Sequence, residues 1–406
     1  MKKHPLAALM FLTLFSCSNA GGETIFSSYS EFSNDYSEPF SLKFYCNGWY
    51  IPFLQRACDS YVERYELTGK VSVSVENYPE PCPPEDVDLW LPGQMWIPGM
   101  SWEKDFVKLS GRYADRLKKE FTAEALSGVS VNGEAYAFPF YMYSYGFFYD
   151  DRVLNAEDTT TLSSLVTALE AVDGGAKLYY EYDNFWFLDA FLSSYDVFVQ
   201  FEKDAEGNVV VKRDDVGTEK GKEALLDFAR LTHEHDVLTN DYRVSRDKQA
   251  REDVAAYIGT NDLFQKVEAE GEGHIVCGPM PKAKGKVSLP YYQTSIGVLN
   301  HDDPRKVLEA TRLADYLTSA EVMTAFADEL DTIPANTVAL EKTVSPFVRG
   351  YAEDYRNAYL AREIWGIYFL SAYGGLMRGI ASLPDDYAPE DLDPLIQTFE
   401  EMIRKG

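Results

Sequence analysis

The stretch Asn132 to Val153, NGEAYAFPFYMYSYGFFYDDRV, most limits what this chain can become. Val131 to Glu134 reads as a turn around Gly133, and Ala135 to Tyr149 is then uncharged, apolar and aromatic until Asp150 and Asp151. Pro139, near the middle of that run, would cost a helix about 3 kcal/mol. Tyr and Phe pack well on a pleated surface, so the pattern predicts one long strand. Alternate residues of a strand point the same way, which places Tyr141, Tyr143 and Tyr145 on one face. Two readings apply to that face: an aromatic wall turned toward a ligand, or tyrosines packed under a lobe.

The chain begins with two lysines, the apolar run LAALMFLTLF and then Ser16-Cys17, the charge, apolar core and small residue of a secretory signal. That core is too short to span a bilayer, and no later segment approaches the required length. Leu14-Phe15-Ser16-Cys17 resembles a bacterial lipobox, which implies lipidation of Cys17; Phe15 departs from the usual residue there, and cleavage after Ala20 is the alternative. Ser18 to Pro39 has the composition of an unpacked tether. The remaining length favours two lobes over one. A formal net charge of −27 spread along the chain would repel nucleic-acid phosphates, and it permits a cationic or neutral ligand or simply confers solubility. Beyond Cys17 there are Cys46, Cys58, Cys82 and Cys277, which in an exported protein allow three complete pairings or none.

Strand, helix, strand, turn and strand patterns follow one another from Ser41 to Leu91, with a helix over Pro52 to Tyr65 and alternating VSVSV at Val71 to Val75. This is the start of an α/β lobe whose parallel strands are joined by helical crossovers. Loops at the carboxyl ends of such strands bind ligands, and Trp49, Tyr50, Trp90 and Trp96 fall there. Further helices are expected at Leu162 to Val172, Phe185 to Ser193 with Trp186, Glu219 to His235, Lys306 to Leu317 and Glu321 to Leu330. Strands are expected at Lys177 to Tyr182 and Tyr291 to Leu299, and a hairpin at Val197 to Val211.

This order resembles the type II solute-binding proteins of ABC importers, the extracellular family 1 group. Gly133-Glu134-Ala135-Tyr136-Ala137-Phe138-Pro139 followed by Phe148-Tyr149-Asp150 is similar to that family's crossing strand. Gly278-Pro279-Met280-Pro281 looks like its post-strand loop, and Lys306 to Phe326 followed by Thr332-Ile333-Pro334-Ala335 looks like its helix pair. The resemblance implies a two-lobe α/β periplasmic-binding-protein-like fold, each lobe a mixed sheet flanked by helices, with a ligand cleft between them. Residues 41–145 and 292–335 would form lobe one, and residues 146–291 and 336–406 lobe two, after a signal peptide over 1–17 and a tether over 18–40. It also implies a monomer, held to a membrane outside the cytoplasm, that hands a small molecule to an ABC permease.

Within that group the chain resembles thiaminase I, thiamine pyridinylase. The likeness rests on Tyr50-Ile51-Pro52, on Pro83-Pro84-Glu85-Asp86-Val87-Asp88, on Asn132 to Tyr149, and on Ala256-Tyr257-Ile258-Gly259 with Asp262. Tyr143 stands where that enzyme has its nucleophilic cysteine, and Asp262 where it has its general-base glutamate. A phenol with a reference pKa near ~10 is a poor nucleophile for displacing thiazole, so no catalytic residue is assigned. The expectation is a binding protein for a thiamine-like heterocycle or a sugar; the alternative is a thiaminase-like enzyme with a displaced nucleophile. Candidate ligand contacts are Trp49, Tyr50, Asp88, Trp90, Trp96, Tyr141, Tyr143, Tyr145, Trp186, Asp262, Tyr291 and Tyr292. No cofactor or metal is expected, because His233 and His235, two apart, do not share a helix face.

Overall fold

The computed structural model describes residues 36–77, 86–91, 105–180, 185–203, 209–355, 358–360 and 367–404. The predicted signal and lipobox, with Cys17, lie outside them, as do Cys82, Trp96 and the side chain of Trp186. The predicted tether over 18–40 is described only from Tyr36 on, and there it is not unpacked, since Tyr36 bonds Glu309 and Phe40 opens the first strand.

Strands β1 (Phe40–Cys46) and β2 (Val71–Asn77) pair in parallel. They are joined by the helix Ile51–Arg64, which has Pro52 in its first turn and buries Phe53, Leu54, Ala57, Cys58 and Tyr61. Proline suits this position because the first turn has no N–H to lose. β3 (Leu89–Trp90) lies parallel on the other side of β1. Ser130–Val131 and Glu134–Ala135 are β4 and β5, a hairpin turned by Asn132 and Gly133. Both turn residues have positive φ, 51° and 81°, the conformation that a tight hairpin of this twist requires.

The expected single strand is two. β6 (Ala137–Tyr143) ends, Ser144 and Tyr145 follow, and β7 (Gly146–Asp150) begins in another sheet. β6 pairs antiparallel with β14 (Pro290–Val298) and β15 (Ile333–Pro334), giving a first sheet in the order β15-β6-β14-β3-β1-β2. β7 pairs with β12 (Val254–Gly259) and β13 (Ile275–Gly278); β8 (Lys177–Tyr180) and β11 (Leu238–Thr239) complete a second sheet, β11-β8-β12-β7-β13. At Gly146 a Cβ would sit 2.7 Å from the Phe347 ring, so the chain enters the second sheet only with glycine there. Alternation is also interrupted inside β6, where Phe140 has no opposite residue between Thr294 and Ser295. Val199–Lys203 and Val209–Asp214 are β9 and β10, the expected hairpin, and β16 (Tyr359–Leu360) joins β14.

Among the described residues three passages between two α/β lobes can be followed before β16 brings the chain back beside β14. The first passage is at 144–145, and the second, between β13 and β14, is tied to it where Ser144 Oγ donates to the Pro290 carbonyl at 2.8 Å. The third leaves β15 and leads to the helix Pro346–Tyr355, which packs on β7 and β13. The end of the lobe-one helix Ala320–Leu330 bolts this last passage in place. Asp328 Oδ1 accepts from Val344 N at 2.8 Å and from the Thr343 hydroxyl, and Asp331, with φ 49°, accepts from Ser345 Oγ at 2.7 Å and Gln265 Nε2 at 2.9 Å.

Lobe one contains a carboxylate that is almost wholly buried. Glu309, 1% exposed on the helix Pro304–Leu317, accepts from the hydroxyls of Tyr36 and Tyr61 and pairs with Arg312 Nη1 at 3.1 Å. Those donors offset its desolvation and pin the described start of the chain to lobe one.

Candidate functional site

The cleft is assembled from short features at strand ends. After β1, the Asn47 side chain accepts from Trp49 N at 3.1 Å and starts a single 3-10 turn, Gly48–Tyr50. The turn sends Trp49 outward, 78% exposed, and lays Tyr50 edge-on against Tyr141 (ring centroids 5.2 Å) and Phe326 (5.4 Å). The Tyr50 phenol is held protonated far above its usual range, first by burial, then by Tyr141, to which it is hydrogen-bonded, and then by the charge of Asp262. Tyr143, the last residue of β6, meets Tyr145 edge-to-face at 6.2 Å.

Lobe two approaches from the end of β12. Thr260 stands at the N-cap position of the helix Asn261–Gly271 without a side-chain capping bond, Asp262 lies in the first turn, and Gly259 leaves room for the Leu263 side chain 2.6 Å from where a Cβ would be. Tyr143 and Tyr145 thus face Asp262, Thr260, Tyr179, Arg246 and Lys266 across a cleft of about 260 Å³. Asn261 and Gln265 of the same helix reach back to lobe one, to the Leu330 carbonyl and the Asp331 carboxylate, both at 2.9 Å. The element that presents Asp262 is therefore also a bridge between lobes.

Of the predicted contacts, Tyr50, Tyr141, Tyr143, Tyr145 and Asp262 are brought together. Tyr292 joins them as the cross-strand partner of Tyr143. Its phenol too is raised, by burial first and then by the charge of Asp189 and by Tyr143. Others go elsewhere. Asp88 is 2% exposed, accepts from Lys43 N at 2.8 Å and lies 3.3 Å from Lys306 Nζ, so its carboxylate fastens lobe one. Trp90 is 2% exposed and stacks on Phe106 at 6.1 Å in a small cluster with Val87, because Gly297 opposite it on β14 leaves space for the Phe106 ring. Tyr291, 1% exposed, is core. Tyr141 is also covered at 3%, reaching the cleft through Tyr50 rather than by its own face. Trp96 and the Trp186 side chain lie outside the described residues.

Sequence reasoning missed Tyr179, Arg246 and Lys266. Tyr179 stood in a correctly expected strand, whereas Arg246 lies just after the 3-10 turn Tyr242–Ser245, which no periodicity announces. His233 and His235 point to different partners, the Ile380 carbonyl at 2.8 Å and Glu170 at 2.7 Å. Among the described cysteines Cys46, Cys58 and Cys277 are all free. Burial pushes the Cys46 thiol up to about 12 and raises Cys58 and Cys277 as well, so none is a thiolate at neutral pH. Tyrosine faces, phenol hydroxyls and a carboxylate arranged this way can offer stacking area and hydrogen bonds to a ring-bearing polar molecule.

The model of the bacterial extracellular solute-binding proteins matches residues 61–353. The chain belongs to this family. Among solved structures this solute-binding protein is similar to the maltose-binding periplasmic protein of Listeria monocytogenes in complex with maltose, with TM-score 0.69 and 15% identity over 90% of this chain and 98% of that one. It is similar as well to the extracellular solute-binding protein of Staphylococcus aureus in complex with maltose (TM-score 0.68, 15% identity, 91% and 99% covered). A third is the Thermus thermophilus maltotriose-binding protein bound with maltotriose (0.66, 16%, 89% and 99%). At such identities the likeness speaks for the fold, a two-lobe binding-protein architecture. A comparison with curated proteins gives no match. No support emerges for the thiaminase branch, and the relatives found are binding proteins.

Proposed function

We propose that this solute-binding protein captures a small ring-bearing solute, a sugar or a heterocycle of similar size, in the interlobe cleft and presents it to an ABC permease. The observation that carries this reading is the convergence of Tyr143 and Tyr145 with Asp262 and Tyr179 from the facing lobe on one cleft, with Tyr50 packed nearby on Tyr141. A volume of about 260 Å³ fits one or two rings. Stacking supplies area, while Asp262 and the phenols accept or donate to ring substituents. Closure around the solute then excludes water and forms the surface a permease reads. The thiaminase-like alternative lacks support, since Tyr143 occupies the nucleophile position and the described thiols are protonated.

Isothermal titration with monosaccharides, maltose and thiamine, repeated on Tyr143→Ala, tests the proposal. Loss of one stacking tyrosine is expected to weaken binding by about 1 to 3 kcal/mol; unchanged affinity in Tyr143→Ala would remove the cleft assignment. The reading includes lipidation of Cys17, which keeps the protein at the membrane surface. Cys17→Ala is expected to release it to the soluble fraction, and membrane retention of that variant would overturn the anchor.

A further inference from the structure

The interlobe cleft departs from the charge of the rest of the chain. With 65 acidic residues against 38 basic ones an acidic lining is the expectation, yet the cleft holds Arg246 and Lys266 against the single carboxylate of Asp262. Bases nearby are neutralised: Arg243 Nε bonds Asp241 at 2.8 Å, and Arg251 Nη2 bonds Glu270 at 2.7 Å. Arg246 and Lys266 form no ion pair among the described residues. Arg246 lies over the Tyr242 ring, 5.8 Å from its centroid, a contact that leaves its charge in place. Asp262 stands four residues before Lys266 on one helix, the acid-first spacing that favours a pair. Lys266 Nζ donates instead to the Ser245 carbonyl at 3.4 Å, which brings it to the residue next to Arg246. Two like charges are thus held at neighbouring positions on one wall of the cleft, a repulsion that an anion between them relieves.

We infer that Arg246 and Lys266 form an anion subsite of this cleft, and that the solute carries a carboxylate or phosphoryl group on the ring that the tyrosines hold. The inference rests on the cleft reading above and adds to it two recognition residues and the sign of the solute's charge. That sign is opposite to the one the overall charge of −27 favours, so it is set locally. A guanidinium suits an oxyanion because its planar fork meets two oxygens at once, while the ammonium adds a point charge beside it. Tyr143 and Tyr145 face the ring across the cleft, and Asp262 accepts from its hydroxyl or amino substituents. Bases that served solubility alone would be indifferent to the charge of the solute and interchangeable with Arg243.

The test is titration of the full chain, at one ionic strength, with matched probes: glucuronate against glucose, nicotinate against nicotinamide, and glucose 6-phosphate against glucose. The acidic member of at least one pair is expected to bind about 10-fold or more tightly than the neutral one, and which acid is preferred tells a carboxylate from a phosphoryl group. Arg246→Gln and Lys266→Gln, at exposed positions that tolerate substitution, are each expected to weaken that acid by about 10-fold or more while leaving the neutral probe unchanged. Arg243→Gln removes an equal charge already paired with Asp241, so it is expected to leave the preference intact. A wild-type protein that binds no acidic probe, or binds the neutral members as tightly, overturns the charge assignment. A preference that survives in the folded double variant at 246 and 266, or that falls equally in Arg243→Gln, overturns the subsite. The cleft reading fails separately, if Tyr143→Ala leaves every bound probe unaffected.

Discussion

Asp88 separates a fold-holding carboxylate from a ligand-holding one. In Asp88→Ala the Lys43 backbone N–H loses its acceptor at 2.8 Å, and Lys306 Nζ, whose side chain is 22% exposed, loses a partner at 3.3 Å. A hydrogen bond to a charged group contributes about 1.5 to 3 kcal/mol, and an ammonium that can partly rehydrate adds roughly 1 more, so the expected loss is about 2.5 to 4 kcal/mol. For a cooperative unit the size of one lobe that corresponds to a fall in melting temperature of roughly 6 to 15 °C. Differential scanning calorimetry reads the shift, and titration of the variant below its melting point reads affinity. The expected pair of results is a large drop in melting temperature with unchanged affinity for any probe the wild type binds. A melting temperature within a degree of the parent, joined to lost affinity, would refute the reasoning and return Asp88 to the cleft.

Asp331→Ala removes the acceptor of both Ser345 Oγ and Gln265 Nε2. It is expected to lower stability by about 2 to 4 kcal/mol and to raise the ligand-free radius of gyration in small-angle scattering as the lobes part; an unchanged radius would argue that the bridge does not restrain them. Tyr61→Phe and Tyr36→Phe each take one donor from Glu309, with an expected cost of about 1 to 3 kcal/mol, read as faster amide exchange along Pro304–Leu317. Tyr36 and Tyr61 are both raised chiefly by burial, with Glu309 adding to it. The folded state keeps these protons while the unfolded chain releases them near pH ~10, so their contribution is full below that pH and is lost above it. Absorbance at the phenolate wavelength is expected to show a class of tyrosines that titrates only on unfolding; reversible titration of all 28 near the reference value would contradict this.

Much of the fold was legible because it rests on local periodicity. VSVSV gave β2, Pro52 marked a helix start, and Asn132-Gly133 gave the hairpin turn. The two sheets could not be read from the run Ala135 to Tyr149, since its two halves are equally apolar. What divides them is their pairing with strands far along the chain, β6 with β14 and β15 and β7 with β12 and β13. At the site, Tyr50, Tyr143, Tyr145 and Asp262 followed from strand-end logic and from the resemblance. Trp90 and Asp88 obeyed the same logic and yet face inward, because a two-residue strand gives no second alternation from which to read a face.

The contact between Tyr36 and Glu309 also decides where force enters the molecule. Any pull transmitted from the N-terminal side arrives at Tyr36 and passes through Glu309 into the helix Pro304–Leu317, an element of lobe one. The passages between the lobes all come later in the chain than Tyr36 and β1. Lobe one is thus the stationary half when the chain is held by its beginning, and lobe two is the half that swings. With the chain held that way, a solute that draws the lobes together would bring the lobe that carries Asp262 toward the one that carries Tyr50 and Tyr143.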